Sequence, residues 1–127
     1  MDIEINSPIN ITLDVMELDG HIPSMKFSVA IRVRKFCYSS EVSSQFWIEC
    51  QGVDRFIDNM KSGDVAILKD MNHFFELRVF SSQGWLEWSC TKEDLEGNVT
   101  SFQGKEKLTE ESTRMIYEAF RDYPKWW

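Results

Sequence analysis

The 127-residue chain is 43% hydrophobic and 13% aromatic, which gives enough apolar area to offset chain entropy and argues against disorder. Fourteen basic residues against twenty-one acidic ones leave a formal charge of -7. Phosphate surfaces demand a basic stripe, so this balance argues against nucleic acid or an anionic membrane as partner and favours a basic protein.

The length is that of one domain, covering residues 1–127. Cys37, Cys50 and Cys90 are odd in number and far apart, with no CxxC or CxxH spacing, so neither zinc nor a disulfide framework is expected. Cys50 and Cys90 fall in phase with apolar neighbours and read as small buried hydrophobes. The opening MDIEINSPIN is acidic and lacks the apolar run of a secretory signal. No apolar segment approaches the ~20 residues of a membrane helix. A reduced, cytoplasmic protein without metal or cofactor is the expectation.

Along the chain, Ile9, Ile11, Leu13 and Val15 alternate with polar residues, giving a first strand. A turn over Asp19 to Pro23 follows. Met25, Phe27, Val29, Ile31 and Val33 then mark one face of a long strand, with Lys26, Ser28, Arg32 and Arg34 on the other. After Tyr38-Ser39-Ser40 the alternation resumes with Val42, Ser44, Phe46, Ile48 and Cys50, predicting a hairpin that brings Trp47 and Glu49 near Arg32 and Arg34.

The period changes at Gly52. Val53, Phe56, Ile57 and Met60 form the stripe of a short amphipathic helix, with Asp54 in its first turn, Lys61 in its last and Gly63 as its stop. Asp54, Arg55, Asp58 and Asn59 form its solvated face. Val65, Ile67 and Leu68 predict a brief strand.

The strongest local signal is the hairpin His73 to Thr91, folded at Ser81-Ser82-Gln83-Gly84. Phe75, Leu77 and Val79 face Leu86, Trp88 and Cys90 on the buried side. The other side carries Phe74, Glu76, Arg78 and Phe80, then Trp85, Glu87 and Ser89. The next loop, Lys92 to Asn98, holds Glu93, Asp94 and Glu96, without the spacing of a calcium loop. Val99 to Lys107 predicts an edge strand, with Gly104 and the KEK charges marking an exposed end. Thr109 caps a last helix with Glu110 and Glu111 in its first turn and an apolar face of Met115, Ile116, Ala119 and Phe120. Pro124 stops it, and Trp126 and Trp127 are placed to fold back as a clamp.

The pattern predicts an α+β fold. Its body is mainly antiparallel sheet, in two layers or a partly open barrel, with one short amphipathic helix mid-chain and a C-terminal helix packed on it. No nucleophile-base pair, phosphate loop or metal cluster stands out, so catalysis is not expected. Glu76, Arg78 and Glu87 read as a cross-strand ion group rather than an acid pair.

The element order, the FIDNMKSG helix, the FELRV strand and the final helix beginning TEES resemble small cytoplasmic immunity proteins of bacterial polymorphic-toxin and contact-dependent inhibition systems, especially the WapI-like group. The resemblance runs from about Phe46 to Phe120. It implies a non-catalytic protein that binds and neutralises one cognate toxin domain, often a nuclease, as a monomer or weak homodimer. A nuclease is basic where it holds phosphates, which suits the acidic balance. The family pattern assigns no site residue. The partner-binding candidates come from the residues themselves: Glu76, Arg78, Phe80, Trp85 and Glu87 on the outward hairpin face, with Glu93, Asp94 and Glu96 in the acidic loop. A secretion chaperone holding an effector segment and a small-ligand-binding domain are the alternatives.

Overall fold

The computed structural model describes residues 2–127, and its elements come in two matching sets. The first is β1 (Ile3–Ile5), β2 (Asn10–Asp19), β3 (Ser24–Arg34), β4 (Ser39–Glu49) and α1 (Cys50–Ser62). The second is β5 (Ala66–Lys69), β6 (Phe75–Phe80), β7 (Trp85–Glu93), β8 (Val99–Lys107) and α2 (Glu110–Arg121). Each set of four strands is an antiparallel meander, and the two sheets are separate rather than one continuous barrel. The α+β class with mainly antiparallel sheet is therefore the observed one. Four strands followed by a helix occur twice, although the sequence itself carries no visible repeat.

Period-2 alternation decides which face of each sheet is buried. Met25, Phe27, Val29, Ile31 and Val33 are all buried on β3, as are Phe75, Leu77 and Val79 on β6 and Leu86, Trp88 and Cys90 on β7. These faces meet in one hydrophobic core together with Val53, Phe56, Ile57 and Met60 of α1 and Ile116 and Phe120 of α2. Phe46 of β4 stacks on Phe75 of β6 at 5.3 Å between ring centroids, joining the two sheets. Phe56 meets Phe120 edge-on at 4.8 Å, joining the two helices.

The helices end as their sequences dictate. Gly63 takes φ +80° and closes α1 in the left-handed conformation that a Cβ disfavours. At the start of α1 no side chain caps the helix, and the Cys50 N–H donates instead to the Pro23 carbonyl at 2.8 Å. α2 begins with a reciprocal cap, in which Thr109 Oγ1 accepts from the Ser112 N–H at 3.0 Å and Ser112 Oγ accepts from the Thr109 N–H at 2.8 Å.

Several sequence expectations shift. Ile3–Ile5 is a strand that alternation alone leaves unmarked, being only three residues long; it pairs with Ile11 to Leu13. The strand expected at Val65 to Leu68 is β5, starting at Ala66, with Ala66 and Leu68 buried and Val65 and Ile67 exposed. The β3–β4 turn centres on Phe36-Cys37, through Lys35 N–H to Tyr38 carbonyl at 2.8 Å, not on Tyr38 to Ser40. That moves the register, so Trp47 lies opposite Lys26, Glu49 opposite Ser24 and Arg32 opposite Glu41. α1 starts at Cys50, which places Asp54 beyond the first turn. Met115 sits at the rim of the α2 apolar face and is exposed.

Asp54 is also more than a solvated residue. Its carboxylate accepts from Lys125 Nζ at 2.6 Å and from Trp127 Nε1 at 2.9 Å, so the tail does fold back as a clamp, through Trp127. Trp126 packs edge-on against it and stays exposed. Desolvation raises the Asp54 pKa, but donation from Lys125 and Trp127 outweighs it and the carboxyl sits below its ordinary range.

Trp88 and Gly104 lie opposite each other in the β7–β8 register. The indole covers the glycine so closely that an added Cβ would fall 2.6 Å from Cε2. Gly104 is thus a clearance for the indole rather than only the mark of an exposed end. Gly104→Ala is expected to destabilise the fold by ~1–3 kcal/mol through overpacking, and Trp88→Ala by ~3–5 kcal/mol through the cavity it leaves. Urea denaturation of the two single variants and the double variant checks this, since Gly104→Ala loses most of its effect once the indole is gone. For the tail, Asp54→Asn is expected to cost about 1 kcal/mol at neutral pH, a small figure because the carboxylate is 37% exposed. Folding lowers this pKa, so the contribution is present above the unfolded value of ~3.9 and disappears as pH falls through the folded value. Denaturation curves of variant and parent should converge there.

Candidate functional site

The β6–β7 hairpin fixes the outward stripe. Gly84, at φ +75°, closes the turn by donating its N–H to the Phe80 carbonyl at 2.8 Å, and the Gly84 carbonyl accepts from the Leu108 N–H at 2.8 Å. This second bond ties the turn to the start of α2. Trp85, Glu87, Ser89, Thr91 and Glu93 then occupy successive outward positions of β7. Eight residue steps at about 3.3 Å make a stripe of roughly 26 Å. All the candidates fall along or at the end of this stripe, but they divide into two halves of different electrostatic character.

In the first half, Phe80 lies opposite Trp85 and Arg78 opposite Glu87. Arg78 is shared, reaching Glu76 at 3.0 Å and Glu87 at 3.7 Å. The next strand adds Lys105 opposite Glu87 and Lys107 opposite Trp85. Lys105 Nζ sits 4.2 Å from the Trp85 ring centroid, a cation over the indole face. Two carboxylates, Glu76 and Glu87, therefore share this face with four cations: Arg78, which pairs with both, and Lys69, Lys105 and Lys107 on the flanking strands; all five expected residues here are partly buried. The group is the cross-strand ion ladder anticipated from sequence, and it leaves no local excess of negative charge.

The second half is the loop beyond β7. Asp94 shapes it, accepting from the Glu96 N–H at 2.9 Å, the Asn98 N–H at 2.9 Å and Asn98 Nδ2 at 3.1 Å. These donors, the Asn98 backbone first, hold the Asp94 pKa below its ordinary range. Gly97 supplies the left-handed residue at φ +85°. Glu93 and Glu96 are exposed without an ion-pair partner among the described residues. Between them in the chain Leu95 is fully exposed, and Val99, 60% exposed, lies opposite Glu93 where the loop returns. An exposed apolar side chain is thus flanked in sequence by two carboxylates that make no ion pair among the described residues.

Two further features escaped the sequence reading. Phe36 is fully exposed at the β3–β4 turn, beside Tyr38, where turn chemistry would normally place small polar residues. An open groove of about 610 Å³ lies between the end of α1, the Ser81–Gly84 turn and α2, lined among others by Met60, Ser81, Leu108 and Tyr117. Its residues are distant in sequence and share no pattern that could have announced it.

No group of three metal-ligating side chains occurs among the described residues. The buried thiols are poor nucleophiles: burial, and then the charge of Asp70, push Cys90 up to about 11, and burial raises Cys50 as well. His73 occupies a turn at φ +61°. Comparison with protein-family models, curated proteins and solved structures finds no match to this chain.

The Asp94 bonds make a direct forecast. Asp94→Ala should raise amide hydrogen exchange at Glu96 and Asn98 by about tenfold or more, while Glu96→Ala, which removes a solvent-facing group, should leave both amides unchanged.

Proposed function

We propose that this chain is a non-catalytic binding protein that neutralises a basic toxin domain, possessing a rigid body and a tip that pairs apolar contact with negative charge. The observation that carries the reading is the Leu95 tip, an exposed apolar side chain flanked by the free carboxylates Glu93 and Glu96 on a loop already ordered by Asp94. Pre-ordering lowers the entropy lost on binding, and a desolvated apolar centre inside a charged rim is the usual anatomy of a protein interface. The overall charge of -7 would speed encounter with a cationic surface such as the phosphate-binding face of a nuclease. Within the candidate set, Glu93 and Glu96 are the steering groups. Asp94 positions the loop, and Trp85, Phe80, Glu76, Arg78 and Glu87 form a charge-balanced flank.

The open groove of about 610 Å³ favours a second reading, a small-ligand-binding domain, because it is partly apolar and of the size of ordinary ligand sites, although open to solvent along one side. The two readings separate on the response to salt and to tip substitutions.

Stopped-flow association with a basic toxin domain should slow steeply as salt rises, because steering is screened within about 10 Å at 0.1 M ionic strength. Glu93→Lys combined with Glu96→Lys should weaken binding by about tenfold or more. Glu76→Lys with Glu87→Lys should have the smaller effect on steering, since Arg78 already neutralises part of that pair. A salt-independent rate, or equal affinity for the tip variant, contradicts the electrostatic reading.

A further inference from the structure

The last strands of the two sheets, β4 and β8, face each other across a cleft that Lys35 and Glu106 bridge near one end at 2.6 Å. Toward the opposite end, Ser44 to Trp47 of β4 approach the Asp70–Phe74 turn and the end of β7, and a pocket of about 120 Å³ opens between them. Ordinary small-molecule sites run from ~300 to 1,000 Å³, so this one has room only for a small ion or the end of one side chain.

Asp70 lies in the pocket wall and is 3% exposed. Its Oδ1 accepts from the Phe74 N–H at 2.7 Å and from the Phe75 N–H at 2.9 Å, which fixes the turn. No donor reaches Oδ2 among the described residues, and no cation pairs with the carboxylate. Its charge is felt by Cys90, which puts it on the β7 side of the turn. Aspartate is seldom buried this far without a charged partner. The turn needs one acceptor oxygen, so the second oxygen and the charge are left over from folding.

The rest of the lining suits a cation. Trp47 and Phe74 supply aromatic rings, which attract positive charge. The Trp47 carbonyl accepts from the Met71 N–H at 2.8 Å, so this residue turns its backbone away from β3. Period two gives Gln45 the same orientation and adds its carbonyl as an acceptor. Lys92 is the one cation in the wall, and its Nζ is directed to Ser44 Oγ at 3.5 Å. Two carboxylates, Asp70 and Glu93, against this single ammonium leave one negative charge in excess within the lining itself.

We infer that this pocket takes the end of one lysine side chain of the protein partner, with the ammonium between Asp70 and Glu93 and the stem against Trp47 and Phe74. Shape favours lysine over arginine. The buried carboxylate has one free oxygen, so the two-point pairing that suits a guanidinium cannot form there, whereas a compact ammonium donates to separate acceptors. The inference deepens the proposed binding function by naming the side chain a basic partner inserts beside the acidic loop, and it rests on that reading for the source of the lysine.

Titration of the whole chain with N-acetyl-lysine methylamide at low salt, followed by nuclear magnetic resonance, tests the site without the natural partner. The expected result is saturable shifts at the Trp47 indole and at the Asn72 and Phe74 amides. The norleucine and arginine counterparts and ammonium chloride should each bind at least about tenfold more weakly. Asp70→Asn keeps an oxygen for the Phe74 and Phe75 N–H groups but sets an amide donor where the cation sits, so it should weaken binding by about tenfold or more. Glu93→Gln, at an exposed position that cannot disturb the core, should weaken it by about threefold, and Lys92→Gln should bind at least as tightly as the parent. Absence of saturable shifts at these residues overturns the inference, as does equal binding of the norleucine compound. Saturation by ammonium chloride at the same concentration also overturns it, by giving the pocket to a free ion. Unchanged affinity in both Asp70→Asn and Glu93→Gln, or lost binding in Lys92→Gln, contradicts it too. A chain that neutralises a basic toxin domain yet gives any of these results loses the lysine pocket while keeping its proposed function.

Discussion

Each four-stranded meander is apolar on one face only, and neither can exist with that face in water. Burying a Phe, Ile or Leu side chain is worth ~1.5–3 kcal/mol, and the inward rows of β3, β6 and β7 alone supply eleven such positions or their smaller equivalents. The sheets must close on each other and on the two helices. The Phe46–Phe75 stack and the Phe56–Phe120 contact are where that closure is made. Everything on the surface is a consequence: the outward stripe of β7, the tip beyond it and the uncovered edges are what remains after one core has been satisfied.

The closure is lopsided, and the lopsidedness organises the exposed surface. On one side short strands are backed by helices and the C-terminal tail is pinned to Asp54. On the other side two long edges meet only through side-chain contacts across a cleft. The acidic tip follows directly from β7, whose neighbour β8 forms one lip of that cleft. The tip therefore sets free carboxylates at one end of that cleft.

Much of this was legible in the chain itself, where physics leaves a periodic trace. The rows on β3, β6 and β7, the α1 stripe, Gly63 and the Thr109 cap all sit where spacing puts them. What escaped did so for definable reasons. Ile-Glu-Ile is too short to alternate visibly. The run Val65 to Leu68 is apolar throughout and carries no phase. Phe36-Cys37 lacks any turn signal, so the register of β3 on β4 could not be read. Asp54 looked like one more surface carboxylate because its partners are more than seventy positions away. The candidate residues lie on the outward hairpin face and the loop where the alternation put them, but they differ in how free their charges are. The Glu76–Arg78–Glu87 group is balanced with the help of lysines on the flanking strands, Asp94 is occupied with its own loop, and free charge is left to Glu93 and Glu96.

The central claim is that an inert acidic body protects by binding. Growth of bacteria expressing a toxic basic domain from the neighbouring gene, with and without this chain, measures it most directly. The account predicts that co-expression restores growth and that the two proteins then purify together as a complex dissociated by salt. Continued death despite abundant folded chain, or rescue with no complex and with chemical conversion of a substrate by the chain alone, would contradict it.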